Sequence, residues 1–315
     1  MLFFDSIIGH ENVKLQITNS LKKDRFHHAH IIVGEDGIGK SYIAKFIALK
    51  VLGKERDIPY ADMLCFKMDS NKKSIGIEDV RNIIMETNKK PFEGDKKVII
   101  IHEMDKMTEA AQNTLLKTIE EPPQGVYILI LCENIESILD TIKSRCEIYK
   151  LNRLGKTEIT RFIDSKYSNI NDEEKRAIVA FSDGIPGRCE KYIEDASFVK
   201  LRDTALEILL SLDNKKIDEI LKYEEFLMKN KNQWAEVYTW FLSYIRDMLI
   251  YKETGDIDDI INIDKIQQIK HLSEIFSFNS LSDIIDIVKD SRMKLERNVN
   301  SALAFDSLLI KMREV

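Results

Sequence analysis

The first half of the chain alternates short, unbroken apolar runs with stretches in which apolar residues return every three or four positions. The runs predict strands at His30–Val33, Leu64–Asp69, Val98–His102, Tyr127–Cys132 and Cys146–Leu151. The periodic stretches predict helices at Lys40–Leu52, Ile77–Asn88, Glu109–Glu121 and Ile138–Lys143. Alternation of this kind builds a parallel five-stranded sheet covered on both faces. A run such as VIII at 98–101 has no polar face to turn to water, so it belongs at a central position of that sheet.

The strand signal stops near residue 152. Residues 153–196 read as short helices, the third opened by Pro186, whose fixed φ suits a first helical turn. From about 198 onward the pattern is helical throughout, in long segments such as QWAEVYTWFLSYIRDMLIYKE and NSALAFDSLLIKM. No Pro/Gly-rich linker, low-complexity tract or clear repeat interrupts it. The expected architecture is an α/β domain (1–152), a small helical domain (153–197) and an all-α C-terminal domain (198–315).

Composition changes this picture little. Of 315 residues, 44% are hydrophobic and 32% charged, as in an ordinary globular protein. The N-terminus has no basic, apolar signal pattern, and no apolar run approaches the roughly 18 residues of a membrane span, so a cytoplasmic protein without a membrane partner is expected. The four cysteines are widely spaced without a CxxC pair, which suggests neither a zinc site nor a disulfide framework. A net charge of −6 argues against holding nucleic acid by bulk attraction, and the basic run KKDR at 22–25 reads as a solvated helix end.

The chemistry concentrates at HIIVGEDGIGKS, residues 30–41. Gly34 to Ser41 matches GxxxxGK[ST] without a gap, after a predicted strand and opening a predicted helix. Glycines let backbone N–H groups turn inward round phosphates, and the helix N-terminus favours negative charge. Gly34, Gly37, Ile38, Gly39, Lys40, Ser41 and Tyr42 are therefore candidate nucleotide-binding residues. Lys40 would reach the β and γ phosphates, and Ser41 would ligate Mg2+. ATP with Mg2+ is the expected ligand.

A second strand should end in a metal-facing aspartate, and here that position is His102. Imidazole serves magnesium badly, because the ion prefers hard oxygen ligands. Glu103 is a weak candidate for orienting water, and Asp105 lies close by. A metal site built from His27, His28, His30 and His102 is conceivable, but histidines beside a strand start are more often structural. Phosphate binding looks intact; hydrolysis does not.

Three further motifs carry a resemblance: LLKTIEEPP at 115–123, Ser144-Arg145-Cys146, and GIPGR at 184–188. With the opening segment at 4–41 and the ending NVNSALAFDSLL, they resemble the AAA+ clamp-loader subunits of bacterial DNA polymerase III over the whole chain, most strongly before residue 190. Within that family the delta-prime type is the nearest in pattern, since motor subunits of the gamma or tau type usually carry an aspartate–glutamate pair where this chain has His102-Glu103.

The resemblance implies an AAA+ module, a helical lid and a helical collar. It also implies a five-subunit loader, with gamma/tau and delta partners, that opens a sliding clamp and places it on primer-template DNA. In that assembly a delta-prime subunit acts mainly as a stator with weak or absent ATPase activity. Arg145 would act in trans as an arginine finger in a neighbouring ATP site. An ion pair with Glu147 is its structural alternative. Arg188 would be the second sensor of nucleotide, Asn134 the first, and Phe4–Gly9 would line the adenine pocket. The family's four-cysteine zinc module is represented here only by Cys65, so no zinc is expected. Trp234, Tyr238, Trp240, Phe241 and Tyr244 would pack within the collar, since stacking platforms for bases come with basic neighbours. Two other readings compete: an active ATPase motor of the same family, and a small-molecule kinase.

Overall fold

The computed structural model describes residues 7–23, 25–69, 72–214, 217–297 and 299–315. It contains two compact units: the chain up to Phe162 with Gly184–Gly187, and Ile163–Asp183 with Arg188–Val315.

In chain order the first unit holds α1 (Glu11–Lys22), β1 (Ala29–Val33), α2 (Lys40–Val51), β2 (Met63–Phe66), α3 (Ile77–Thr87), β3 (Lys97–Ile101), α4 (Glu109–Glu120), β4 (Val126–Cys132), the single turn α5 (Asp140–Lys143) and β5 (Glu147–Lys150). All strand pairs are parallel, in the order β2-β3-β4-β1-β5. Every residue of β1 and β3 is buried, which is why these strands read as continuous apolar runs. Their side chains divide by alternation between two cores. Ile31, Ile99, Ile101, Ile128, Ile130 and Cys132 meet Val80, Ile83, Ala111 and Leu115 on one face. Ile32, Val98, Ile100, Leu129 and Leu131 meet Ile43, Ala44 and Ile47 of α2 on the other.

The predicted elements lie within a residue or two of those observed, except β2. It stops at Phe66 rather than Asp69, because β3, its partner among the described residues, ends at Ile101, the residue paired with Phe66. His102 accordingly lies just past β3, not within it. Lys97 is buried at the start of β3 and donates to the carbonyls of Glu86 (3.2 Å) and Lys89 (2.7 Å). It closes the C-terminal end of α3, where a cation also complements the helix dipole. Thr108 caps α4, its hydroxyl accepting from Ala111 N at 3.3 Å.

α6 (Lys156–Lys166) carries the chain into the second unit, which is helical among its described residues: α7 (Asp172–Ser182), α8 (Pro186–Glu194), α9 (Ala196–Asn214), α10 (Ile217–Lys229), α11 (Trp234–Thr254), α12 (Ile266–Ile275), α13 (Phe278–Glu296) and α14 (Ser301–Glu314). Tyr238, Trp240, Phe241 and Tyr244 of α11 are buried. Trp240 stacks on Phe181 with centroids 4.2 Å apart and meets Phe198 edge-on. These aromatics form the interior of the helical unit. Beside them the buried Arg202 makes a two-pronged pair with Asp264, at 2.6 and 2.8 Å, and donates to Asn262 Oδ1 at 3.0 Å. Buried Asp247 accepts from the backbone N–H of Ile261 and Asn262, fixing the loop that presents Asn262.

Candidate nucleotide site

The phosphate loop leaves β1 at Gly34, whose N–H donates to Cys132 O at 3.2 Å across the sheet. Gly37 (φ 75°) and Gly39 (φ 111°) take the left-handed conformations that let the loop turn inward. α2 then begins at Lys40. The Lys40 ammonium donates to the carbonyls of Gly34 (2.8 Å) and Glu35 (2.9 Å), so it sits within the loop's own curve. Ile38 anchors the loop in the core, while Ser41 and Tyr42 are exposed on the first turn of α2.

Three contacts hold the loop from outside. Glu35 makes a bidentate pair with Arg153, at 2.6 and 2.8 Å. His10 Nε2 is 3.0 Å from Ile38 O; burial lowers the His10 pKa, so the ring is neutral at pH 7 and donates that N–H. Gly187 N donates to Gly37 O at 2.9 Å.

The remaining groups lie just beyond the ends of β3 and β4. His102 is half-buried; burial, then the Lys67 cation, pushes its pKa down to about 4, so it is a neutral imidazole at pH 7. Glu103 has φ 55° and pairs with Lys106 at 2.6 Å. That hydrogen bond lowers its pKa and makes it a weaker base. Asp105 Oδ1 accepts from Glu133 N at 3.1 Å. Glu133, directly after β4, feels the Lys40 cation and the charges of Asp36 and Asp105, although burial raises its pKa overall. Asn134 is turned into its own loop, its Oδ1 accepting from Glu136 N at 3.0 Å.

Arg145 follows α5 on the surface. Its guanidinium pairs with Glu120 and donates to Thr141 O at 2.7 Å. Glu147 is engaged elsewhere, accepting from Gln16 Nε2 at 3.2 Å. The two motifs LLKTIEEPP and SRC therefore meet through one ion pair. Arg188 follows Gly187 on the first turn of α8 and is half-buried. Of the stretch Phe4–Gly9, residues 4–6 lie outside the described residues, and Ile7 packs in the α2-side core.

The upstream histidines have structural partners. His30 stacks on Phe26 (centroids 4.0 Å apart) and Tyr149, and its Nε2 donates to His27 O at 2.6 Å. His28 Nε2 meets Ile119 O at 2.8 Å. Among the described residues no group of three or more His, Cys, Asp or Glu is placed to hold a metal by itself, and no helix is long and apolar enough to cross a membrane. The thiols of Cys65, Cys132, Cys146 and Cys189 are free.

The loop's glycines, its enclosed lysine and the exposed Ser41 hydroxyl fit the polyphosphate of a nucleotide and the magnesium that accompanies it. Sequence reading did not single out Glu133, Glu120, Arg153 or His10. Glu133 left a signal, as it stands just past β4, two residues beyond Leu131.

A five-stranded parallel sheet, a phosphate loop between its first strand and a helix, and a helical C-terminal part define a P-loop module of the AAA+ class. The sequence model described as "DNA polymerase III, delta subunit" matches residues 9–155, and "DNA polymerase III, delta subunit, C terminal" matches residues 196–314. The chain belongs to the family of DNA polymerase III clamp-loader subunits.

DNA polymerase III subunit tau of Bacillus subtilis is 23% identical over 98% of this chain, which spans 61% of that protein. DNA polymerase III subunit delta' of Buchnera aphidicola (subsp. Baizongia pistaciae) is 28% identical, over 82% of each chain. The crystal structure of a gamma-subunit-related protein from Thermotoga maritima shares the fold, with a TM-score of 0.53, 16% identity, and coverage of 95% of this chain and 99% of that one.

Proposed function

We propose that this chain is a delta-prime-type stator of a clamp loader, one that binds nucleotide but turns it over weakly or not at all and lends Arg145 to the ATP site of a neighbour. The observation that carries the reading is a complete phosphate loop facing a neutral His102 where a carboxylate would stand. The only glutamate next to it in sequence, Glu103, is bound to Lys106 and is a poor base for activating water. Arg145, in contrast, is half-exposed, and its guanidinium is held by Glu120 and Thr141 O rather than free to swing. A planar cation fixed in this way can stabilise charge developing on a transferred phosphoryl group, an effect worth about 10³–10⁵ in rate in related chemistry.

In this proposal the chain divides into a nucleotide-binding module (1–152), a lid (153–197) and a collar (198–315), and it acts in the cytoplasm. Its partners are gamma/tau and delta subunits, and through the complex a sliding clamp and primer-template DNA. Arg188 and Asn134 keep their roles as nucleotide sensors within the same reading. Zinc has no part in it.

A second reading, an active ATPase motor, draws support from the similarity to tau over almost the whole chain. One experiment separates the two. The chain is reconstituted with its motor and delta subunits, and DNA- and clamp-stimulated ATP turnover is measured for the wild type, Lys40→Ala and Arg145→Ala. A stator loses most of the turnover with Arg145→Ala and little with Lys40→Ala. The reverse result identifies a motor.

A further inference from the structure

We infer that Glu133, at the end of β4, carries the metal-facing carboxylate that position 102 on β3 lacks. The inference rests on the nucleotide-binding part of the reading above and names the residue that would complete it.

Ile100 of β3 and Leu131 of β4 both point to the face covered by α2. Just past the two strands, continued alternation would place His102 and Glu133 on that face, toward the N-terminus of α2 where Lys40 and Ser41 sit. The fields agree, since both His102 and Glu133 feel the Lys40 ammonium. A carboxylate can therefore enter this corner from either strand, and in this chain it enters from β4. β4 lies between β3 and β1, directly beside the strand that leads into the loop. The Cys132 carbonyl, one residue before Glu133, accepts from the Gly34 N–H at 3.2 Å. The Glu133 backbone is fixed in turn by Asp105, which accepts its N–H at 3.1 Å.

A hard divalent cation needs oxygen ligands, and a neutral imidazole beside the phosphates offers none. Glu133 supplies one at the cost of repelling a metal-free triphosphate. Its presence should therefore make nucleotide binding depend on the metal.

The test uses the full 315-residue chain and a fluorescent ATP analogue, titrated in magnesium and in EDTA. The wild type should bind roughly tenfold tighter in magnesium, a difference well within the reach of one ligand. Glu133→Gln should lose that difference, and should bind tighter than the wild type in EDTA because the repulsion is gone. That gain also reports an intact fold. Glu133→Gln combined with His102→Asp should recover the magnesium preference. Retention of the wild-type magnesium preference by Glu133→Gln overturns the inference, as does an absence of Lys40-dependent binding in the wild type. Neither outcome touches the role of Arg145, which is read on the assembled complex.

Discussion

Gly187 sits directly on Gly37, its N–H donating to the Gly37 carbonyl at 2.9 Å. A β-carbon on Gly187 would lie 2.6 Å from Gly37 Cα, so the contact exists only because both residues are glycine. The tip of the phosphate loop and the turn that opens α8 are thus packed backbone to backbone.

Gly187→Ala should consequently destabilise the chain by about 1–3 kcal/mol, the usual cost of overpacking. It should also weaken nucleotide binding, since relief of the clash must displace Gly37. Gly94→Ala is the control, because a β-carbon there meets nothing within 4 Å and φ is not positive. Urea midpoints and ATP-analogue titrations of both variants decide it; equal behaviour of the two would show that the contact is dispensable.

Arg145 and Glu120 lie on different elements and meet through their charges. Glu120→Ala should leave the guanidinium present but loosely aimed. On the proposed trans role of Arg145, turnover by the reconstituted complex should then fall roughly tenfold, a modest share of what misplacement of a catalytic group can cost. Arg145→Ala should cost more. Unchanged turnover with Glu120→Ala would assign the positioning to Thr141 O and Ser144 Oγ, which also accept from the guanidinium.

In the helical unit, Asp264→Asn removes the charge facing Arg202, whose side chain is 3% exposed. An uncompensated buried cation costs about 3 kcal/mol or more. The midpoint of unfolding should drop accordingly, whereas Lys229→Ala, at an exposed pair, should leave it nearly unchanged.

His30 predicts an acid limb in stability. Burial pushes its pKa down to about 4 from the ordinary 6.5, so the folded chain resists a proton that the unfolded chain accepts. The contribution is fully present above pH 6.5 and is lost as the pH falls toward 4. His102, lowered for the same main reason, adds to the same limb, less strongly because it is partly solvated. His30→Phe preserves the stacking on Phe26 and Tyr149 and should flatten the decline of urea midpoints between pH 7 and pH 5. A decline as steep as in the wild type would exclude His30 as a contributor.

The sequence by itself determined the sheet, the phosphate loop and the helical C-terminal part, because each depends on local signals. A strand covered on both faces must be apolar at every position, as Val98–Ile101 is, and a loop that wraps phosphates needs glycine at fixed places. The tertiary structure decided where the polar groups point. Glu120 and Arg145 are far apart along the chain, and their pairing depends on how α4 and α5 pack. Asn134 was legible as a polar residue past a strand, yet its amide closes a local turn, while Glu133 beside it feels the Lys40 charge. Lys97 falls just outside the strand predicted at Val98–His102 and is buried against the end of α3. Apolar periodicity records which side of an element is covered. The partner of a charge follows from register and packing between segments that no local pattern connects.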